Sequence, residues 1–416
     1  MTPSRCARFL GVLAIVLPLA ACGGGGSSSS GTSSPTGNNG SSSSGPNVVP
    51  VVSNLGVSNN NANGLFTSVT VCMPGTTNCT TVNNVLVDTG SFGLRLLSTA
   101  LSSLPLTTSS APDGNPLGEC TDYASSYIWG PVATADVSLG GEKAANVPIQ
   151  VIGQSGFPDA PSSCTSGGLT ENNSQSTLQA NGILGVGVFR YDCGPACTPP
   201  NTTVPPVYFS CPSSGCSAVL VPEADEVQNP VAFFATDNNG ELLQLPSVPD
   251  AGAASVNGYM IFGIGTENNN ALSTQTVLQA DDYGDFTTTF DSNTYSGSLL
   301  DSGSNGIFFL DAQTLNITDC ASPDTGFYCP ASQLAPYQAT NVSADGSTTA
   351  PASWNVANAD TLFQSGNAAF NNLAGDDPNT FDFGLSFFFG RTIGVGLNGA
   401  SASAQGKSYA GPFYAY

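Results

Sequence analysis

The chain has 416 residues with 29 acidic and only 7 basic side chains, a net charge of −22, and no histidine. It has no basic stripe to neutralise phosphates, which argues against nucleic acid as a partner. Without histidine, Ser-His-Asp and Cys-His catalysis and histidine-ligated zinc are excluded.

Lysine is nearly absent as well, so Schiff-base or Ser-Lys chemistry would rest on Lys143 or Lys407 alone. Carboxylate chemistry is what remains. The acidity itself has two readings, plain solubility or use at low pH where carboxylates titrate. The length allows two or three domains with ample core. Charged residues make up 9%, and short runs rich in Val, Thr, Phe and Ala alternate with Gly/Asn/Pro/Ser turns. That pattern predicts a mostly β protein with few helices.

In chain order, residues 1–22 read as a secretory leader: Arg5 and Arg8, an apolar core from Phe9 to Leu19, then Leu19-Ala20-Ala21-Cys22. The last four resemble a bacterial lipobox, which makes Cys22 the expected lipidation site. The alternative is a plain signal peptide with a chance cysteine. The apolar run is too short for a stable membrane span. Gly23, after the cysteine, suggests the outer membrane by resemblance to lipoprotein sorting, so the expected location is the cell envelope, attached through a lipid anchor. Residues 23–46 are a Gly/Ser/Asn-rich flexible tether. Ordered chain is expected from Asn47.

Phe66 to Val71 and Val82 to Val87 predict a hairpin that delivers Asp88. Ala133 to Leu139 alternates up to Gly140-Gly141, and Val147 to Ile152 follows, as strand, turn and strand. Gly182-Ile183-Leu184-Gly185 reads as an apolar strand ending in glycine, and Tyr191 to Pro222 is the least regular stretch. A second half begins near Pro230, giving expected lobes over 47–229 and 230–416. It contains Gly258 to Gly263 and Phe381-Asp382-Phe383-Gly384. Ten cysteines follow Cys22, an even count that reads as disulfides in an exported chain. Local pairs such as Cys72–Cys79 and Cys320–Cys329 are plausible. The four from Cys193 to Cys216 allow either a Cys₄ metal site or the stapling of a surface loop, and the Pro-rich surroundings favour stapling.

Two stretches share one design. Val85-Leu86-Val87-Asp88-Thr89-Gly90-Ser91 returns as Ser298-Leu299-Leu300-Asp301-Ser302-Gly303-Ser304. Each is an apolar strand running into Asp-Ser/Thr-Gly-Ser, and each is followed, at similar spacing, by an apolar-Gly strand. A lone copy is an ordinary turn. Two copies in the same context argue for two lobes of one design, with two loops that bring Asp88 and Asp301 together. An aspartate at the end of a buried strand needs hydrogen bonds, and Gly N–H groups with Ser or Thr hydroxyls supply them.

On these motifs, with Gly182-Ile183-Leu184-Gly185, Gly258 to Gly263 and Phe383-Gly384, the chain resembles the pepsin-type aspartic peptidases. The whole also resembles a family of bacterial lipoproteins of unassigned function. The resemblance implies a mostly β, bilobal pepsin-like double β-barrel with an interlobe cleft. It implies Asp88 and Asp301 as the catalytic pair, with Thr89 and Ser302 joining the loops across the interface. Ser91 and Ser304 would bond the carboxylates, while Gly90 and Gly303 form the tight turns. A flap tyrosine is expected at Tyr123, with Tyr127 as second choice, the alternative being an ordinary half-buried aromatic. The chemistry requires no metal and no cofactor. The chain departs from the eukaryotic pattern in four ways: Arg95 stands where a Trp is common, Phe92 replaces a small residue, the flap region lacks the usual run of glycines after its tyrosine, and no basic propeptide is seen before the lobes.

Three functions are therefore open: a lipid-anchored aspartic endopeptidase acting on polypeptides, a peptidase scaffold that captures a peptide or envelope partner without cutting it, and a tethered β-rich structural lipoprotein. A monomer is expected.

Overall fold

The computed structural model describes residues 44–165, 168–331 and 335–416. The leader, Cys22 and nearly all of the tether lie outside the described residues. None of the described helices is long and apolar enough to cross a membrane.

The first half is built from β1 (Val48–Asn54), β2 (Gly64–Cys72), β3 (Cys79–Asp88), β4 (Phe92–Leu97), β5 (Leu117–Asp122), β6 (Ser126–Leu139), β7 (Glu142–Ile152) and β8 (Gly182–Val186). The second half uses β9 (Gly240–Gln244), β10 (Val256–Phe262), β11 (Asn293–Asp301), β12 (Ile307–Leu310), β13 (Asp377–Gly384), β14 (Thr392–Gly396) and β15 (Phe413–Ala415). The alternating run to Leu139 turns at Gly140-Gly141, and β6 then pairs with β7 in antiparallel register. Gly and Asn punctuate the strands, and the described helices are short, the longest being Ala359–Gln364, as few helical apolar periods predict.

One sheet runs β5-β6-β7-β4-β8-β3-β2-β1-β10-β9-β14-β15. Strand β1 joins the halves, pairing with β2 on one side and with β10 on the other. A second sheet holds β11, β13 and β12 side by side.

The repeat read in the sequence is a repeat in space. β3 runs parallel to β8 with Asp88 opposite Gly185, and β4 returns antiparallel along β8. β11 likewise runs parallel to β13 with Asp301 opposite Gly384, and β12 returns antiparallel along β13. The glycines in these bracing strands are required by close approach. A Cβ at Gly185 would sit 2.6 Å from the Phe92 nitrogen, and one at Gly384 would sit 2.6 Å from the Ser304 carbonyl oxygen.

The apolar faces of both sheets merge into one core containing Val85, Val87, Leu184, Leu300, Phe381 and Phe383, all fully buried. Among the described residues there are five disulfides: Cys72–Cys79, Cys120–Cys164, Cys193–Cys197, Cys211–Cys216 and Cys320–Cys329. The stretch from Cys193 to Cys216 thus holds two short staples, and its four cysteines leave no thiolates for a metal.

Candidate active site

Strands β3 and β11 end at the junction of the halves, where Asp88 and Asp301 are 5% and 3% exposed. Each carboxyl is held by its own loop. Asp88 accepts from the Gly90 N–H at 2.8 Å and the Ser91 hydroxyl at 2.5 Å. Asp301 accepts from the Gly303 N–H at 2.7 Å and the Ser304 hydroxyl at 2.9 Å.

Each carboxyl also lies on the opposite loop's glycine. A Cβ at Gly90 would fall 2.5 Å from Cγ of Asp301, and a Cβ at Gly303 would fall 2.6 Å from Cγ of Asp88. Only a residue without a side chain permits that approach, so the two acids meet because both turns carry glycine. They are within hydrogen-bond reach of one another.

The loops are cross-tied by side chains. The Thr89 hydroxyl donates to the Leu300 carbonyl at 2.8 Å and accepts from the Ser302 N–H at 2.9 Å. Reciprocally, the Ser302 hydroxyl donates to the Val87 carbonyl at 2.7 Å and accepts from the Thr89 N–H at 3.1 Å. These four bonds are buried, where an unmade one is expensive, so they hold the two halves in one relative position.

Burial, then the neighbouring charge of Asp88 and a hydrogen bond to it, raise the Asp301 carboxyl well above the ordinary carboxyl range; Ser304 and Gly303 pull the other way. Two carboxyls sharing one site cannot both ionise easily, and the pair titrates as a unit.

Strands β5 and β6 form a hairpin whose turn carries Tyr123, closed by its N–H to the Ser126 carbonyl at 2.7 Å. The Tyr123 hydroxyl reaches Ser91, and burial pushes its pKa above the usual phenol range; it also feels Arg95, Asp88 and Glu119. Tyr127 is not brought to the pair. It packs on the other face of the hairpin with Trp129, Cys120, Cys164 and Phe209, near Glu171. Side chains alternate along a strand, so Tyr127 shares a face with Trp129 and points away from Asp88.

Arg95 is fully buried behind the hairpin. Its guanidinium bonds Glu119 at 2.6 Å, Asp192 at 2.8 Å, the Thr121 hydroxyl at 3.1 Å and the Phe92 carbonyl at 2.6 Å. Burial alone would lower its pKa, but the charges of Glu119, Tyr123 and Asp192 outweigh that and raise it. The Tyr208 hydroxyl donates to Asp192 at 2.6 Å. Glu226, held by the Gly194 N–H and Thr198, is pushed up to about 7 by burial. In the sequence Arg95 stands out only as a departure from the eukaryotic pattern. Its acidic partners lie on distant segments with no shared motif, so nothing local announced them.

Beside the second loop, a cavity of about 200 Å³ is lined by Asn59, Asn60, Asn61, Gln179, Asn305 and Phe363, among others. Asn305 directly follows Ser304.

A family model described as "Protein of unknown function (DUF3443)" matches residues 43–416. The chain belongs to the DUF3443 family. No curated protein matches this DUF3443 chain significantly. Among solved structures, it is similar to an aspartic proteinase from Irpex lacteus at 17% identity and a TM-score of 0.46, over 83% of this chain and 93% of that one.

Proposed function

We propose that this DUF3443 protein is an aspartic peptidase-type hydrolase acting on polypeptides. One observation carries the reading: two aspartates from repeated loops, each seated on the other's glycine and each held by its own Ser hydroxyl and Gly N–H. Asp88 serves as the ionised member and takes a proton from a water held between the two acids. That water attacks the peptide carbonyl. Protonated Asp301 hydrogen-bonds the carbonyl oxygen as charge develops and then gives its proton to the departing amine.

The test is to incubate the folded domain with denatured protein across acid to neutral pH, beside Asp88→Asn and Asp301→Asn. Loss of cleavage by at least about a hundredfold in each variant is expected. Wild type that never cleaves, or cleavage that persists in both variants, overturns the reading.

The buried tethering of the hairpin by Arg95 favours a second reading, capture of a peptide without cutting. Under it, a statine-type dyad ligand would bind wild type while no substrate is cleaved. We place the protein at the cell envelope, anchored in the outer membrane through lipidated Cys22, on the leader and tether alone. Metabolic labelling with a fatty acid, lost in Cys22→Ala, tests that placement.

A further inference from the structure

The two halves of the site differ at one buried position. Asp382 lies on β13, two residues before Gly384, between Phe381 and Phe383, and is 1% exposed. It sits opposite Leu299 on β11 and Phe308 on β12. The matching position in the first half, opposite Leu86 and two residues before Gly185, is Ile183. A strand that is apolar in one half thus carries an acid in the other.

That acid is wired to the pair. Its Oδ2 is 2.5 Å from the Ser304 hydroxyl, and the same hydroxyl is 2.9 Å from Oδ2 of Asp301. Its Oδ1 is buried with no hydrogen-bond partner among the described residues. The charged groups facing it are Asp301 on β11, Asp377 on its own strand and Asp88 from the opposite loop, with Tyr414 on β15 also near. None of these is a cation. A lone carboxylate there is costly enough that the group takes up a proton instead. Burial first, then the Asp301 charge, raise its pKa well above the usual carboxyl range.

A hydroxyl has one hydrogen, so Ser304 donates to only one of its two carboxyls and the other contact needs a hydrogen from the carboxyl. We propose that Asp382 is a third acid of the site, a positioning residue whose own proton can pass to Asp301 through the Ser304 hydroxyl. In one arrangement Asp382 carries the proton and donates to Ser304 Oγ, while Ser304 donates to ionised Asp301. In the other, the Asp382 O–H bond and the original Ser304 O–H bond have broken, and new O–H bonds stand on Ser304 and Asp301. Net, one proton has moved from Asp382 to Asp301, and no electrons or co-reactant are involved. The shift re-arms Asp301 after it has protonated the leaving amine, and the proton that Asp88 took from the water, handed on through Asp301 and Ser304, then restores Asp382. This catalytic consequence rests on the peptidase reading, whereas the proton path does not. The matching position behind Ser91's loop is the apolar Ile183, so only one half of the site carries this third acid.

The experiment is ¹³C NMR of aspartate-labelled protein through a pH titration, with Asp382→Asn assigning the signal. The Asp382 carboxyl is expected to remain protonated at neutral pH, and its midpoint to move by about one pH unit in Asp301→Asn and in Ser304→Ala. An Asp382 ionised at neutral pH, or one indifferent to both changes, overturns the proposal. In kinetics, Asp382→Asn keeps a donor toward Ser304 but has no proton to pass on, so KM should hold while kcat falls about tenfold or more and the pH profile changes. An unchanged kcat and profile also overturns it. If Asp382→Asn fails to fold, Asp382→Leu, which imitates the first half's Ile183, serves instead. Should wild type cleave nothing while the carboxyls titrate together, the peptidase reading falls and the proton path stands.

Discussion

Gly90 and Gly303 are the residues on which the meeting of the acids turns. Neither has a positive φ, so the demand on them is space alone. Gly303→Ala would press a methyl onto Asp88, whose carboxyl is tied by Gly90 and Ser91 and cannot retreat. Overpacking of this kind destabilises by about 1–3 kcal/mol. A denaturant melt should show that loss, and binding of any dyad ligand should fail with it. Thr89→Val removes one hydroxyl and strands two buried groups, the Leu300 carbonyl and the Ser302 N–H. Leaving a buried group unmade costs about 1–3 kcal/mol. Thr89→Ser restores both bonds and should recover most of the stability, which separates the hydroxyl's role from that of the methyl.

The β5–β6 hairpin is fastened at three points. Its strands pair with each other, Cys120 is bridged to Cys164, and Glu119 and Thr121 are bonded to Arg95 on β4. Arg95→Gln leaves Glu119 and Asp192 buried without their cation, and removing one partner of a buried pair destabilises by about 3–5 kcal/mol. Hydrogen exchange should rise over residues 117–131 first. Adding Glu119→Gln to Arg95→Gln should recover part of the loss, because no uncompensated charge then remains at that position. The disulfides differ in reach. Cys120–Cys164 closes a separation of 44 residues and Cys211–Cys216 one of 5. On chain entropy alone the longer closure is worth about 4 kcal/mol and the shorter about 2 kcal/mol. Paired Cys→Ser variants compared by thermal melting should follow that order.

At the scale of the whole molecule, the buried acids dictate how stability varies with pH. Asp301, Asp382, Asp192 and Glu241 are fully or almost fully buried, and burial raises each well above its ordinary value. Glu226 is pushed up to about 7. Neither Glu241 oxygen has a hydrogen-bond partner among the described residues. An acid whose pKa is higher folded than unfolded binds more protons when folded. Its stabilisation is complete below the unfolded value, near about 4, and is lost as pH rises through the folded value. Asp113, Asp311 and Asp345 shift the other way through surface hydrogen bonds, but they are solvent-exposed and screened. Melting temperature should therefore be higher at mildly acidic pH than at alkaline pH, with the Glu226 part of the fall near neutrality. A flat profile, or one rising with pH, would contradict the burial of these groups. Glu241→Gln should flatten part of the slope.

What the amino-acid sequence determined by itself is the part carried by local chemistry. Period-two apolar runs between Gly and Asn turns dictate strands, and Asp-Ser/Thr-Gly-Ser after such a strand dictates a loop that feeds hydrogen bonds to its own carboxyl. Repetition of the unit, with Gly185 and Gly384 in the bracing strands, made two matched halves legible before any coordinates. Only the tertiary structure decided which way each half faces, and with it every contact between segments far apart in the chain. The choice of Tyr123 over Tyr127, the pairing of Cys120 with Cys164, and the gathering of Glu119 and Asp192 around Arg95 belong to that class. So does the line from Asp382 through Ser304 to Asp301. The physical reason is common to all of them: a side chain's partner across a fold is chosen by packing and register, and the residue types along the chain record only that a partner is needed.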